Sequence, residues 1–238
     1  MNPLVLTAHG SKDPRSAANV CAVAELVERL RPGLDVRVAF CEQNTPNLVD
    51  VLAGLRDARR AVVAPLLLAR AYHARVDIPN QIVRAAAHGV RQAEVLGEDD
   101  RLVSVVHERL AELGVCDRDR GLGVVMVAIG SSDGAVNART ATVAAKLAAG
   151  TRWVGAMMAF ATGPQPSVAA AADELRRRGA RRLVIAPWFL APGLLPDRVQ
   201  AYAREAGIAM AAPLGAHRLV AETLLDRYDR AVSVRAAA

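Results

Sequence analysis

The chain repeats itself. The segment "LTAHGSKD" at 6–13 lines up with "MVAIGSSD" at 126–133, "AFCEQNTPNLV" at 39–49 with "AFATGPQPSVA" at 159–169, and "VVAPLLLA" at 62–69 with "LVIAPWFLA" at 183–191. The first two alignments share an offset of 120 residues (6 to 126, 39 to 159), and the third lies within two residues of it. Within the first copy, short apolar runs near 4–8, 35–40, 61–68 and 91–96 alternate with amphipathic stretches near 16–31, 47–58, 77–87 and 100–113. Strand and helix in strict alternation predict a parallel, doubly wound sheet. The charged, glycine-rich "CDRDRGLG" at 116–123 reads as a linker. The expected architecture is therefore α/β, with two homologous doubly wound parallel-sheet halves, 1–115 and 122–238.

Composition narrows the class. A hydrophobic content of 53% with only 3% aromatic residues implies a core of Ala, Val and Leu. Apolar runs such as "AVVAPLLLA" at 61–69 fall far short of the ~20 residues needed to span a bilayer. The sequence opens on a strand pattern, so no targeting peptide and no membrane anchor are expected. Cys21, Cys41 and Cys116 form no CxxC pair, which argues against a disulfide framework or a thiolate zinc site and fits a reducing cytoplasm. The net charge of +6 suits an anionic partner. Scattered arginines and few aromatics point away from nucleic acid and toward a small polyanion.

Duplication supplies an internal control, because whatever differs at matched positions is not required by the fold. His9 aligns with Ile129, Glu42 with Thr162, and His73 of "ARAYHARVDIP" with the histidine-free "APGLLPDRV". In an open parallel sheet, ligands sit outside the carboxyl ends of the strands. With strand order 2-1-3-4, the strands leading to His9, Glu42 and His73 are neighbours about 4.8 Å apart, and the three side chains can converge. Two imidazoles and a carboxylate suit a divalent transition metal, and they equally suit proton removal near pH 7. Gly10 and Ser11 open the following helix, whose N-terminal amides favour an anion. Lys12, Arg15, Arg70 and Arg75 add positive charge to the same edge.

Other features read as structural. His88 precedes Gly89 at a helix end, His107 lies within a helix, and His217 stands near a helix start. Alternation turns Cys41 away from Glu42, as a packing residue. In "GLGVVMV" at 121–127 the glycines precede the strand, so it is no dinucleotide fingerprint. In "TPNLVD" Thr45 is the expected helix cap, with Pro46 in the first turn. A histidine-type phosphatase also places histidine after a first strand, but it needs arginine immediately before it, and Ala8 stands there.

In their order and spacing, "TAHGSKDPRS", "AFCEQNTPNL" and "APLLLARAYHARVDIP" resemble the sirohydrochlorin chelatase (CbiX/SirB) family, the class II tetrapyrrole chelatases, in their two-domain bacterial form. The resemblance implies ATP-independent insertion of Fe2+ or Co2+ into sirohydrochlorin, for siroheme or cobalamin, in a cleft between the halves. It assigns metal handling to His9 and His73 and the acidic role to Glu42. The metal is then a substrate, no cofactor is tightly bound, and one copy of the chain suffices. Lys12 departs from the family's usual arginine and removes a bidentate contact. Without a cysteine cluster, no iron–sulfur centre is expected. Iron is favoured over cobalt or nickel. A non-catalytic tetrapyrrole or metal carrier using the same groups is the alternative reading.

Overall fold

The computed structural model describes residues 2–55 and 60–233. Its elements run β1 (Leu4–Ala8), α1 (Pro14–Leu30), β2 (Val36–Phe40), α2 (Leu48–Ala53), β3 (Val62–Pro65), a π turn (His73–Asp77), α3 (Ile78–Arg84), β4 (Arg91–Gln92) and α4 (Asp100–Ala111). They continue as β5 (Leu122–Ala128), α5 (Gly134–Ala148), β6 (Gly155–Phe160), α6 (Val168–Arg177), β7 (Arg182–Pro187), α7 (Leu194–Glu205), β8 (Ala209–Met210) and α8 (Arg218–Ser233). The strands form two parallel four-stranded sheets, ordered β2-β1-β3-β4 and β6-β5-β7-β8. Each sheet has the order read from the repeat.

In the first sheet every residue of β1 is buried, as a central strand covered on both faces must be. Val5, Ala39 and Val63 point to one face, where Leu48 and Leu52 of α2 and Ile78 of α3 close over them. On α1 the buried positions Val20, Val23, Ala24 and Val27 follow the spacing of one helical face, and α1 packs beside α8.

The packing units do not coincide with the sequence repeats. One unit comprises residues up to 97 together with those from 216 onward, and the other runs from 98 to 215. Helix α8, from the end of the second repeat, thus belongs with the first sheet, and α4, from the end of the first repeat, packs on α5 and β7 of the second. Side chains fix α8 in place. Arg31 donates to both carboxylate oxygens of Asp229 at 2.5 and 2.8 Å, the Tyr228 hydroxyl donates to the Asn2 carbonyl, and Arg227 donates to the carbonyls of Val95 and Leu96. The first unit is therefore closed by 216–233 and not by 98–115.

Smaller differences are local. Strand β3 ends at Pro65, which has no N–H for the ladder. Helix α2 is capped by Asn47, whose side chain accepts from Asp50 N–H, and not by Thr45. Of its expected span to 58, residues 56–59 lie outside those described. Among the described residues no helix is long and apolar enough to cross a membrane.

Candidate active site

At the carboxyl edge of the first sheet the chain turns sharply after Ala8. Gly10 has φ +100°, and a Cβ built there would lie 1.8 Å from the Glu42 carbonyl oxygen. Glycine is required because two loops meet at this point. The contact is sealed by backbone hydrogen bonds from Glu42 N–H to the His9 carbonyl and from Cys41 N–H to the Ala8 carbonyl. In the second unit Gly130 (φ +101°) approaches the Gly163 carbonyl in the same way, and Thr162 N–H donates to the Ile129 carbonyl. The junction belongs to the fold, whereas the side chains on it belong to the first unit alone.

Those side chains converge. His9 Nε2 lies 3.1 Å from Glu42 Oε1, His73 Nδ1 lies 2.5 Å from Asp77 Oδ2, and the two imidazole rings rest against each other with centroids 3.8 Å apart. Tyr72, exposed, sets its ring edge-on to His73. His73 and Asp77 bound the π turn, in which Ile78 N–H bonds the His73 carbonyl. Single π turns of this sort recur at functional sites. Buried Ala74 and Ile78 root the turn in the core, and the Gln92 amide donates to the Ala74 carbonyl at 2.7 Å.

Electrostatics keep His9 neutral. Burial and then the neighbouring His73 push its pKa below the ordinary 6.5, against weaker opposition from Glu42 and Asp77. Its Nδ1 is buried without a hydrogen-bond partner, so the ring is held by Glu42 and by stacking. Cys41 is half-buried against the α2–α3 core, and burial pushes its thiol up to about 12, in keeping with a packing residue.

The structure brings His9, Glu42 and His73 together and adds Asp77, which sequence reasoning missed. The available signal was histidine followed four residues later by a carboxylate, a same-face spacing once the helical path is seen to begin at His73 instead of Asp77. Among the described residues no three His, Cys, Asp or Glu side chains are arranged to hold one metal ion at once. In this state His9 Nε2 faces Glu42, so a shared metal position requires that ring to turn.

Of the two amides expected to face an anion, that of Ser11 is already engaged. Ser11 N–H is taken by Asn44 Oδ1 at 2.7 Å, and α1 begins only at Pro14, capped by the Asp13 carboxylate. An acid at the cap occupies the place an anion would take. Arg15 reaches back to Asp13, whose carboxyl this guanidinium holds below its usual range. Lys12 and Arg75 are exposed, and Arg70 stands 3.7 Å from Glu94 in an exposed pair. His88 is exposed, His107 stacks near Trp153, and His217 Nδ1 accepts from Leu219 N–H at the start of α8.

The CbiX family model matches the chain twice, over residues 3–113 and 123–231. The chain belongs to the CbiX family. Among curated members, a sirohydrochlorin ferrochelatase of Priestia megaterium is 27% identical over 84% of this chain and 77% of its own length. A sirohydrochlorin cobaltochelatase of Sulfolobus acidocaldarius is 35% identical over 44% of this chain and 87% of its own, so one CbiX repeat accounts for most of that protein. The fold is that of SirB from Bacillus subtilis with Fe3+, with a TM-score of 0.83 at 23% identity over 100% of this chain and 98% of that one.

Proposed function

We propose that this CbiX protein inserts a divalent metal, Fe2+ or Co2+, into sirohydrochlorin without ATP, using the site at the carboxyl edge of its first sheet. The observation that carries the reading is the pair of stacked imidazoles, each with its own carboxylate, at positions where the sister repeat has none. The names of its curated relatives support the same substrate.

Insertion requires a dehydrated M2+ over the macrocycle and the departure of two pyrrole protons. His9 and His73 offer imidazole nitrogens of the kind that suit first-row divalent ions. Glu42, half-exposed beside His9, balances metal charge and receives a proton through the imidazole it already contacts. Turning the His9 ring about its broad terminal torsion frees Nε2 from Glu42 for the metal. Sirohydrochlorin is a polycarboxylate, and Lys12, Arg15, Arg70 and Arg75 form the basic rim that meets it, Arg70 by exchanging its weak exposed pair with Glu94 for a substrate carboxylate. Gly10 and Ser11 serve by fixing the turn.

The test is anaerobic: catalytic amounts of protein with sirohydrochlorin and Co2+ or Fe2+, the macrocycle absorbance followed against a protein-free control and a His9→Ala variant. Many turnovers, lost in the variant, are expected. Saturable binding without acceleration would make the protein a carrier and overturn the proposal.

A further inference from the structure

We propose that Asp77 is a positioning residue that fixes the His73 ring as its Nδ1–H tautomer and so leaves the Nε2 lone pair free for the incoming metal. The inference deepens the chelatase reading and rests on it for the identity of the metal's destination. A carboxylate accepts and does not donate, so the 2.5 Å contact between Asp77 Oδ2 and His73 Nδ1 places the ring proton on Nδ1. A ring whose single proton sits on Nδ1 carries its lone pair on Nε2. Among the described residues that nitrogen has no hydrogen-bond partner, and the His73 side chain keeps 40% of its surface exposed. His9 is arranged the opposite way, with Nε2 engaged by Glu42 and Nδ1 buried. Of the two histidines, His73 alone presents a ready donor atom to solvent.

The π turn anchors this arrangement in the core. Asp77 is its last residue and His73 its first; Ala74 and Ile78 are buried beneath, and Gln92 holds the turn's carbonyl from β4. The ring is thus clamped by Asp77 on one edge and by the His9 face at 3.8 Å. Carboxylates that hold ligand histidines in this manner typically raise metal affinity by about 10- to 100-fold.

The experiment uses the full chain without macrocycle at fixed pH 7.5. Ring 15N–1H correlation spectra of histidine-labelled protein, with the His73 signals identified by their loss in His73→Ala, report the tautomer. Co2+ titrations followed by ligand-field absorption report affinity. Asp77→Asn keeps the size of the side chain, but its amide can donate to Nδ1, which favours the Nε2–H form. The expected result is a wild-type Nδ1–H tautomer, its loss in Asp77→Asn, Co2+ binding weakened about 10- to 100-fold, and an unchanged thermal midpoint. In a His73→Ala background Asp77→Asn should weaken Co2+ binding no further. An unchanged tautomer with unchanged Co2+ affinity in Asp77→Asn, or an equal loss in the His73→Ala background, would overturn the assignment. Neither readout needs turnover, so a wild-type protein that fails to metallate sirohydrochlorin would sink the chelatase reading and leave these two results interpretable.

Discussion

Replacing Gly10 with alanine tests whether the loop junction holds the site in register. The new Cβ would stand 1.8 Å from the Glu42 carbonyl oxygen, where real contacts do not fall under 3.0 Å, so the Glu42 backbone must retreat by 1.2 Å (3.0 less 1.8). An L side chain at φ +100° adds backbone strain of about 1–3 kcal/mol. For a chain of this length each kcal/mol lowers the melting temperature by about 2–4 °C, giving an expected fall of about 2–12 °C. A shift of that size separates Glu42 from His9, now 3.1 Å away, and misplacement by about 1 Å can cost about a hundredfold in rate. Gly130→Ala is the matched control. Its φ is +101° and its Cβ would lie 1.9 Å from the Gly163 carbonyl oxygen, so its melting temperature should fall comparably. No imidazole stands there, and its insertion rate should stay near wild type. Both variants are assayed by differential scanning calorimetry and by anaerobic metallation well below either midpoint. Equal rate losses in the two, or a wild-type rate in Gly10→Ala, would refute the reasoning.

Three further outcomes follow from the same geometry. His217→Ala should lose about 1 kcal/mol, as for other lost helix caps, because Nδ1 accepts from Leu219 N–H, while exposed His88→Ala should change neither stability nor rate; a large rate loss in either would show a role at the site. A chain ending at residue 215 should fail to fold its first unit. It removes the buried Val220, Leu224, Leu225 and Tyr228, each contributing about 1.5–3 kcal/mol, against a usual net stability of about 5–15 kcal/mol; soluble expression with dispersed amide spectra for residues 4–97 would contradict this. The depressed pKa of His9 means the unfolded chain takes up that proton more readily than the folded one. The stability conferred by the neutral ring is whole above pH 6.5 and declines as pH falls through 6.5 toward the lowered folded value. Urea midpoints between pH 7.5 and 5.5 should therefore drop further for wild type than for His9→Gln, and parallel curves would count against a buried, neutral His9.

Much of this was legible in the sequence because duplication offers two samples of one fold. The matched offsets located both sheets, and the mismatches at His9, Glu42 and His73 pointed to side chains that the fold does not require and that the structure brings together. What periodicity could not reveal is which sheet a helix covers. The apolar stripe of α4, with Leu102, Val103, Val106 and Leu110 buried, fits either sheet equally well, so its place with the second unit came only from packing. Thr45 and Asn47 are both good caps by residue type, and the backbone chose the second. Asp77 was hidden because "DIP" reads as a helix start, whereas the helical path begins four residues earlier with the π turn. The engagement of the Ser11 amide was not legible, since Asn44 lies 33 residues from Ser11 and nothing local announces the contact.

The closing of the first unit by α8 also sets a timetable. Residues 98–215 form an uninterrupted unit, whose own contacts are all available once residue 215 has left the ribosome. The unit that carries His9 and His73 must wait for residues 216–233 to be made, because Tyr228 meets Asn2 across 226 residues and Asp229 meets Arg31 across 198. At synthesis rates of about 5–20 residues per second, residues 98–233 take about 7–27 s to make, and through that interval the face that α8 shares with α1 is only partly covered. The unit whose strands are made before the other's is completed after it, and the apolar surface that α8 will cover is what a chaperone would meet during that interval.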